Sequence, residues 1–191
     1  MKNMLNDLRK TSPTWFSILT LAAGLNAAAA TGPDFKATKR TAESGDARAQ
    51  YLLARSYENG AKENYAQAAK WYRKAAEQNY APAQYGLGRM YATGLGMRQN
   101  NAEALRWLGK AAAQGYALAQ NRLGVMYEKG EGVAQDLAEA YKWYNLAAGA
   151  DQNVYAVANR DALASHLTAQ QRLEGERRAG SALGVEVADS K

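Results

Sequence analysis

The stretch Ala117–Ala148, ALAQNRLGVMYEKGEGVAQDLAEAYKWYNLAA, decides how this chain folds, because two imperfect copies precede it. Trp143 has counterparts at Trp107 and Trp71, each 36 residues earlier than the next. Around them run Ala68-Ala69-Lys70-Trp71-Tyr72, Ala104-Leu105-Arg106-Trp107-Leu108 and Ala140-Tyr141-Lys142-Trp143-Tyr144, followed by Ala75-Ala76, Ala111-Ala112 and Ala147-Ala148. Upstream, Ala49-Gln50, Ala83-Gln84 and Ala119-Gln120 lead to Leu53, Leu87 and Leu123, then to Tyr57, Tyr91 and Tyr127. The first copy is two loop residues short: Gly60 stands alone where the others have Gly94-Leu95-Gly96 and Gly130-Glu131-Gly132. So many aligned columns define a repeat, and a repeat sets the architecture.

Each unit reads as two helices. Ala49, Leu53 and Tyr57 recur every four residues and form one apolar stripe of a first helix. Beside it the small residues Ala54, Gly88 and Gly124 admit a close neighbour, and Gly60, Gly94 and Gly130 stand where a left-handed residue commonly ends a helix. The second helix opens on a variant capping box: Asn64 with Gln67, Asn100 with Glu103, Asp136 with Glu139. Pro82 fits a first helical turn. The tryptophans are expected in the core between layers, where each ring buries ~150–250 Å².

The fold expected is all-α, a right-handed α-solenoid of stacked helix pairs with about three full repeats, 47–80, 81–116 and 117–152. A degenerate second helix, Phe35 to Glu43 with Ala37 in the Trp column, places an N-terminal cap at 31–46. Val154 to Leu163, then a helix opened by Thr168 with Gln171, make C-terminal caps over 153–180, and 181–191 reads as a flexible tail.

Residues 1–30 carry an address. Lys2, Arg9 and Lys10 precede the uncharged run Trp15–Leu25, and Ala27–Ala30 supply an A-x-A-like site. That order predicts a cleaved secretory signal and a periplasmic or secreted product, with an uncleaved anchor as the alternative. The run is short of the ~20 residues that span a bilayer.

Composition removes most chemistry. The 191 residues contain no Cys and one His, which excludes disulfide scaffolds, thiolate zinc sites and cysteine nucleophiles. No catalytic residue, cofactor site or metal site is expected. His166 beside Ser165 is no dyad, since adjacent helical residues point about 100° apart. The formal charge of +6 is dispersed, and Gly86-x-Gly88 falls inside a helix, so neither nucleic acid nor dinucleotide is an expected partner.

The units, written A-x-A-Q-x-x-L-G-x-M-Y-x-x-G-x-G-V and then A-x-K-W-Y-x-x-A-A, resemble the Sel-like repeat family, a relative of the tetratricopeptide repeat. The departures are the short first loop, Ser56 where the others have Met90 and Met126, and Ala54 for Gly. The resemblance implies a binding protein that holds a protein partner of the cell envelope on the concave surface lined by first helices. The expected partner-binding residues are Arg48, Tyr51, Arg55, Tyr85, Arg89 and Asn121, drawn from faces that also carry Glu58, Pro82, Ala92, Leu118, Val125 and Glu128. Tyr and Arg are the residues enriched at interface hot spots. Lys70 and Arg106 belong to the outer face. The resemblance implies an adaptor or scaffold; an immunity-type inhibitor of an envelope-acting effector such as a lipase is the alternative. Some cysteine-rich family members are described as β-lactamases, but without cysteines or a catalytic motif that does not transfer.

Overall fold

A computed structural model describes residues 35–60, 64–149 and 153–184. The expected signal at 1–30 and the last residues of the expected tail lie outside them. Residues Thr38–Lys191 form one compact unit; of the other, Met1–Ala37, only Phe35–Ala37 are described.

Among the described residues the regular structure is entirely helical. In chain order the helices are α1 Phe35–Glu43, α2 Ala47–Asn59, α3 Tyr65–Glu77, α4 Ala81–Thr93, α5 Asn101–Ala113, α6 Ala117–Lys129, α7 Leu137–Gly149, α8 Val154–Ala164 and α9 Ala169–Ala182. Helices α2 and α3, α4 and α5, and α6 and α7 pack as pairs. Pairs join through α3 against α4 and α5 against α6, and α8 and α9 both cover α7.

The repeated columns are the core. Leu53, Leu87 and Leu123 are buried, as are Met90, Met126 and the pairs Ala75-Ala76 and Ala111-Ala112. The small-residue column does what small residues permit. A Cβ on Gly88 would lie 2.8 Å from Leu108, and one on Gly124 would lie 2.5 Å from the Tyr144 ring. Trp71 and Trp107 are buried, while Trp143 is half-buried. Each ring is roofed by cations: Lys74 at 4.1 Å from Trp71, Arg106 and Lys110 at 4.9 and 4.6 Å from Trp107, and Lys142 at 4.2 Å from Trp143.

The Ala-Gln column has a task that apolar periodicity does not reveal. Buried Gln50, Gln84 and Gln120 each donate a side-chain N–H to a carbonyl eight residues earlier: Ala42 at 3.1 Å, Ala76 at 3.2 Å and Ala112 at 3.1 Å. The amide thus ties each first helix to the second helix before it. Because Ala42 accepts as Ala76 and Ala112 do, α1 takes the place of a second helix.

Two local expectations need correction. Gly94 and Gly130 end their helices at φ 74° and 71°, but Gly60 has φ −74°, ordinary extended backbone. The first unit lacks the two loop residues that follow the left-handed glycine in the other two. The capping pattern is also only half a box. Asn64, Asn100 and Asp136 accept from the amides of Gln67, Glu103 and Glu139 at 3.0, 3.1 and 2.9 Å. Their own amides donate instead to the carbonyls of Tyr57, Tyr91 and Tyr127 on the preceding helix. With that amide taken, the reciprocal side-chain bond has no donor. Only at Thr168 and Gln171 do both halves close, because no such carbonyl competes there.

Candidate functional site

The first helices α2 and α4 place the expected Tyr/Arg ladder. Stripe positions Leu53 and Leu87 point inward, so residues two before and two after, Tyr51 with Arg55 and Tyr85 with Arg89, sit side by side on the opposite face of the helix. Tyr51 is half-buried, its ring 5.5 Å from Tyr80 and 5.9 Å from Tyr72. Tyr85 stacks against Tyr116 at 5.5 Å. The Arg55 guanidinium lies 5.9 Å over the Tyr51 ring and is otherwise exposed.

These rings form one group. Burial pushes the Tyr116 phenol above its ordinary range, and the neighbouring phenols of Tyr51, Tyr85 and Tyr80 push it further. Arg55 opposes them. Tyr80 and Tyr116 were not among the expected site residues. Both stand at the N-cap of a first helix, α4 and α6, and neither side chain caps it. Their 36-residue spacing was the available signal.

Arg89 is engaged within the chain. It forms an ion pair with Glu58 of α2, whose other oxygen accepts from the Tyr72 hydroxyl at 2.7 Å. Burial lowers the Arg89 pKa, but the hydrogen bond and charge of Glu58 more than offset this and leave it raised. Burial, reinforced by Glu58, pushes the Tyr72 phenol far up. Glu128 and Tyr144 repeat the bond at 2.6 Å, whereas the second unit carries Ala92 and Leu108 in those columns.

The remaining candidates separate. Arg48 is exposed on the first turn of α2. Asn121 lies against the C-terminal cap, where its Oδ1 accepts from Asn159 of α8 at 3.0 Å. Leu118 is exposed, and Ala92 is buried rather than displayed. His166 is exposed just past α8, and the Ser165 hydroxyl donates to the Ala162 carbonyl at 2.7 Å. Among the described residues no three His, Asp or Glu side chains converge as metal ligands, and no helix is long and apolar enough to cross a membrane.

Stacked helix pairs with an aromatic and guanidinium face define a helical-repeat protein of the kind that serves as a protein-interaction scaffold. The chain belongs to the Sel1 repeat family, whose family model matches residues 47–80, 81–116 and 117–151. Family members are generally protein-interaction modules. Among solved structures, a protective antigen present in uropathogenic Escherichia coli strains, displaying an SLR fold, is 34% identical with a TM-score of 0.75. The match covers 78% of this chain and 32% of that one. A Sel1 repeat protein from Oxalobacter formigenes is 32% identical with a TM-score of 0.64, covering 78% of this chain and 64% of that one. The chain therefore matches under two thirds of the length of either. A comparison with curated protein sequences finds no match.

Proposed function

We propose that this chain is a non-enzymatic, exported adaptor that holds a partner protein of the cell envelope against the face carrying Arg48, Tyr51, Arg55 and Tyr85. The observation that carries the reading is the pair of ring contacts Tyr51 with Tyr80 and Tyr85 with Tyr116 on neighbouring first helices, with the Arg55 guanidinium over Tyr51 and its charge felt at Tyr116. Tyr and Arg combine apolar area with hydrogen-bonding tips, so such a face gains from desolvation while still satisfying polar groups. The basic, apolar and small-residue order of residues 1–30 supports export.

The test is capture from envelope extract with residues 31–191 as bait, run beside an Arg55→Ala bait. A protein retained by the first and lost by the second is the expected result. Equal recovery with both baits sinks the assignment of the face. Recovery of an envelope-acting enzyme whose activity the chain abolishes would replace the adaptor with an inhibitor.

A further inference from the structure

We infer that a cleft on the outer side of the first repeat, formed by Lys70, Arg73 and Lys74 of α3 and closed by Gly96 and Met97, binds a phosphate group. The cleft measures about 340 Å³, and its remaining lining is Ala66, Ala69 and Glu77.

Repeat columns show why this place differs from its equivalents. In the second and third units the cation in the Lys70 column is neutralised one turn earlier on its own helix. Arg106 pairs with Glu103 at 3.0 Å, and Lys142 pairs with Glu139 at 2.7 Å. The first unit has Gln67 in that acidic column, and among the described residues Lys70 has no carboxylate partner. The Arg73 column is uncharged elsewhere, with Gly109 and Asn145. The first repeat therefore gathers three cations within one helical turn, and the equivalent second helices do not.

Two of the three are held in place before any ligand arrives. Arg73 donates to the Tyr91 hydroxyl at 2.6 Å and lies 5.9 Å from that ring, and its other donors have no partner among the described residues. The Lys74 ammonium is fixed 4.1 Å over Trp71, a partner that leaves its charge uncompensated. Pre-placed donors lower the ordering cost of binding. Three cations against the single carboxylate of Glu77 leave two positive charges, which matches the −1.5 to −2 carried by a phosphate monoester near neutral pH. The guanidinium fork and two ammoniums fit tetrahedral oxygens better than one planar carboxylate.

The phosphate comes either free or on a lipid headgroup, and the experiment separates the two. Sodium pyrophosphate and inorganic phosphate are titrated calorimetrically into the chain at low salt. In parallel, the chain is sedimented with vesicles of phosphatidylglycerol and phosphatidylcholine, and with phosphatidylcholine alone. Saturable binding of the free anions, weakened at least about tenfold in Lys70→Gln/Arg73→Gln and unchanged in Lys110→Gln, supports a free ligand. Sedimentation only with phosphatidylglycerol vesicles, lost in the same double variant, supports a headgroup. Lys70→Glu, at an exposed side chain with no carboxylate partner among the described residues, repeats the test should the double variant melt early. Absence of both signals overturns the inference. So does binding that survives the cleft variants, or that falls equally in Lys110→Gln, since that means diffuse surface charge.

Discussion

Arg89 of the second repeat reaches back to Glu58 of the first, and the same carboxylate accepts the Tyr72 hydroxyl. The link crosses a repeat boundary, so Arg89 stabilises the stack whatever it does for a partner. The Glu58 side chain is 12% exposed, and removing Arg89 leaves its carboxylate the neutral Tyr72 hydroxyl in place of a cation. Arg89→Ala should cost about 1–3 kcal/mol. Glu58→Gln/Arg89→Ala should cost less than the two single changes added together, a coupling that a double-mutant cycle in urea reads directly. Additive losses would mean that the pair does not matter.

The Gln columns give a graded test. Gln84 donates to Ala76 and Asn79 of the preceding unit and accepts from Gln114 of its own unit at 2.7 Å, which extends the network across both helices of the second repeat. Gln50 likewise accepts from Gln78 at 2.8 Å. The third member of the Gln78 and Gln114 column is Ala150, and among the described residues the buried Gln120 Oε1 has no partner. An unsatisfied buried acceptor costs about 1–3 kcal/mol. Gln84→Met should therefore lower the melting temperature more than Gln120→Met. Equal shifts would show that the network adds nothing beyond one amide-to-carbonyl bond.

How far sequence reaches is visible in these same residues. Period and column identity revealed the helix pairs, the leucine stripe and the Gly88 and Gly124 approaches, because burial repeats with the units. The Gln network stayed hidden, since a polar residue in a repeat column reads as surface until its carbonyl partner on another helix is known. Tyr80 and Tyr116 were missed for a related reason. They precede helices instead of lying within them, so no helical periodicity places them beside Tyr51 and Tyr85. Arg89 was read as displayed because its partner Glu58 lies 31 residues away in sequence.

Two glycine substitutions should move stability in opposite directions. Gly109 lies inside α5 with nothing within 4 Å of an added Cβ, whereas a Cβ on Gly124 meets the Tyr144 ring at 2.5 Å. Gly109→Ala should raise stability by roughly 0.5–1 kcal/mol through lower unfolded-state entropy. Gly124→Ala should cost about 1–3 kcal/mol as α6 and α7 are forced apart. Thermal melts of the two variants check both signs.

The C-terminal cap should loosen in acid. Arg178 of α9 bridges Asp136 at 2.8 Å, Glu139 at 3.2 Å and Glu174 at 2.7 Å. Hydrogen bonds from Arg177 and Arg178 hold Glu174 down to about 2. Burial alone would raise Asp136, but its bond to Arg178 more than offsets this and lowers it. Carboxylates depressed on folding stabilise above their unfolded pKa values, ~4, and the contribution is lost as pH falls through the folded ones. Wild type should lose stability between about pH 4 and pH 2 more steeply than Arg178→Ala, which lacks the bridge at every pH. Parallel acid limbs in urea titrations would remove the cap from the account.

The partner face needs a variant that separates binding from folding. Tyr51 and Tyr85 each pack against a neighbouring ring, and Arg89 holds Glu58, so truncating any of them disturbs the stack. Arg55 is different. It is exposed, and its ring contact is with the face of Tyr51, at 5.9 Å, a contact worth about 0.5–1 kcal/mol at an exposed site. Its guanidinium lies over the aromatic cluster, where a docked protein would desolvate it along with the rings. Truncating such a residue typically costs ~2 kcal/mol or more of binding energy. Arg55→Ala should thus weaken the captured partner at least about tenfold and lower the melting temperature only slightly. Arg106→Ala, on the outer face over Trp107, supplies the control: it removes an exposed guanidinium from an equivalent aromatic contact and should leave affinity unchanged. Calorimetric titration of the partner into both variants decides the matter. A loss on Arg106→Ala with Arg55→Ala silent moves the binding surface to the second helices.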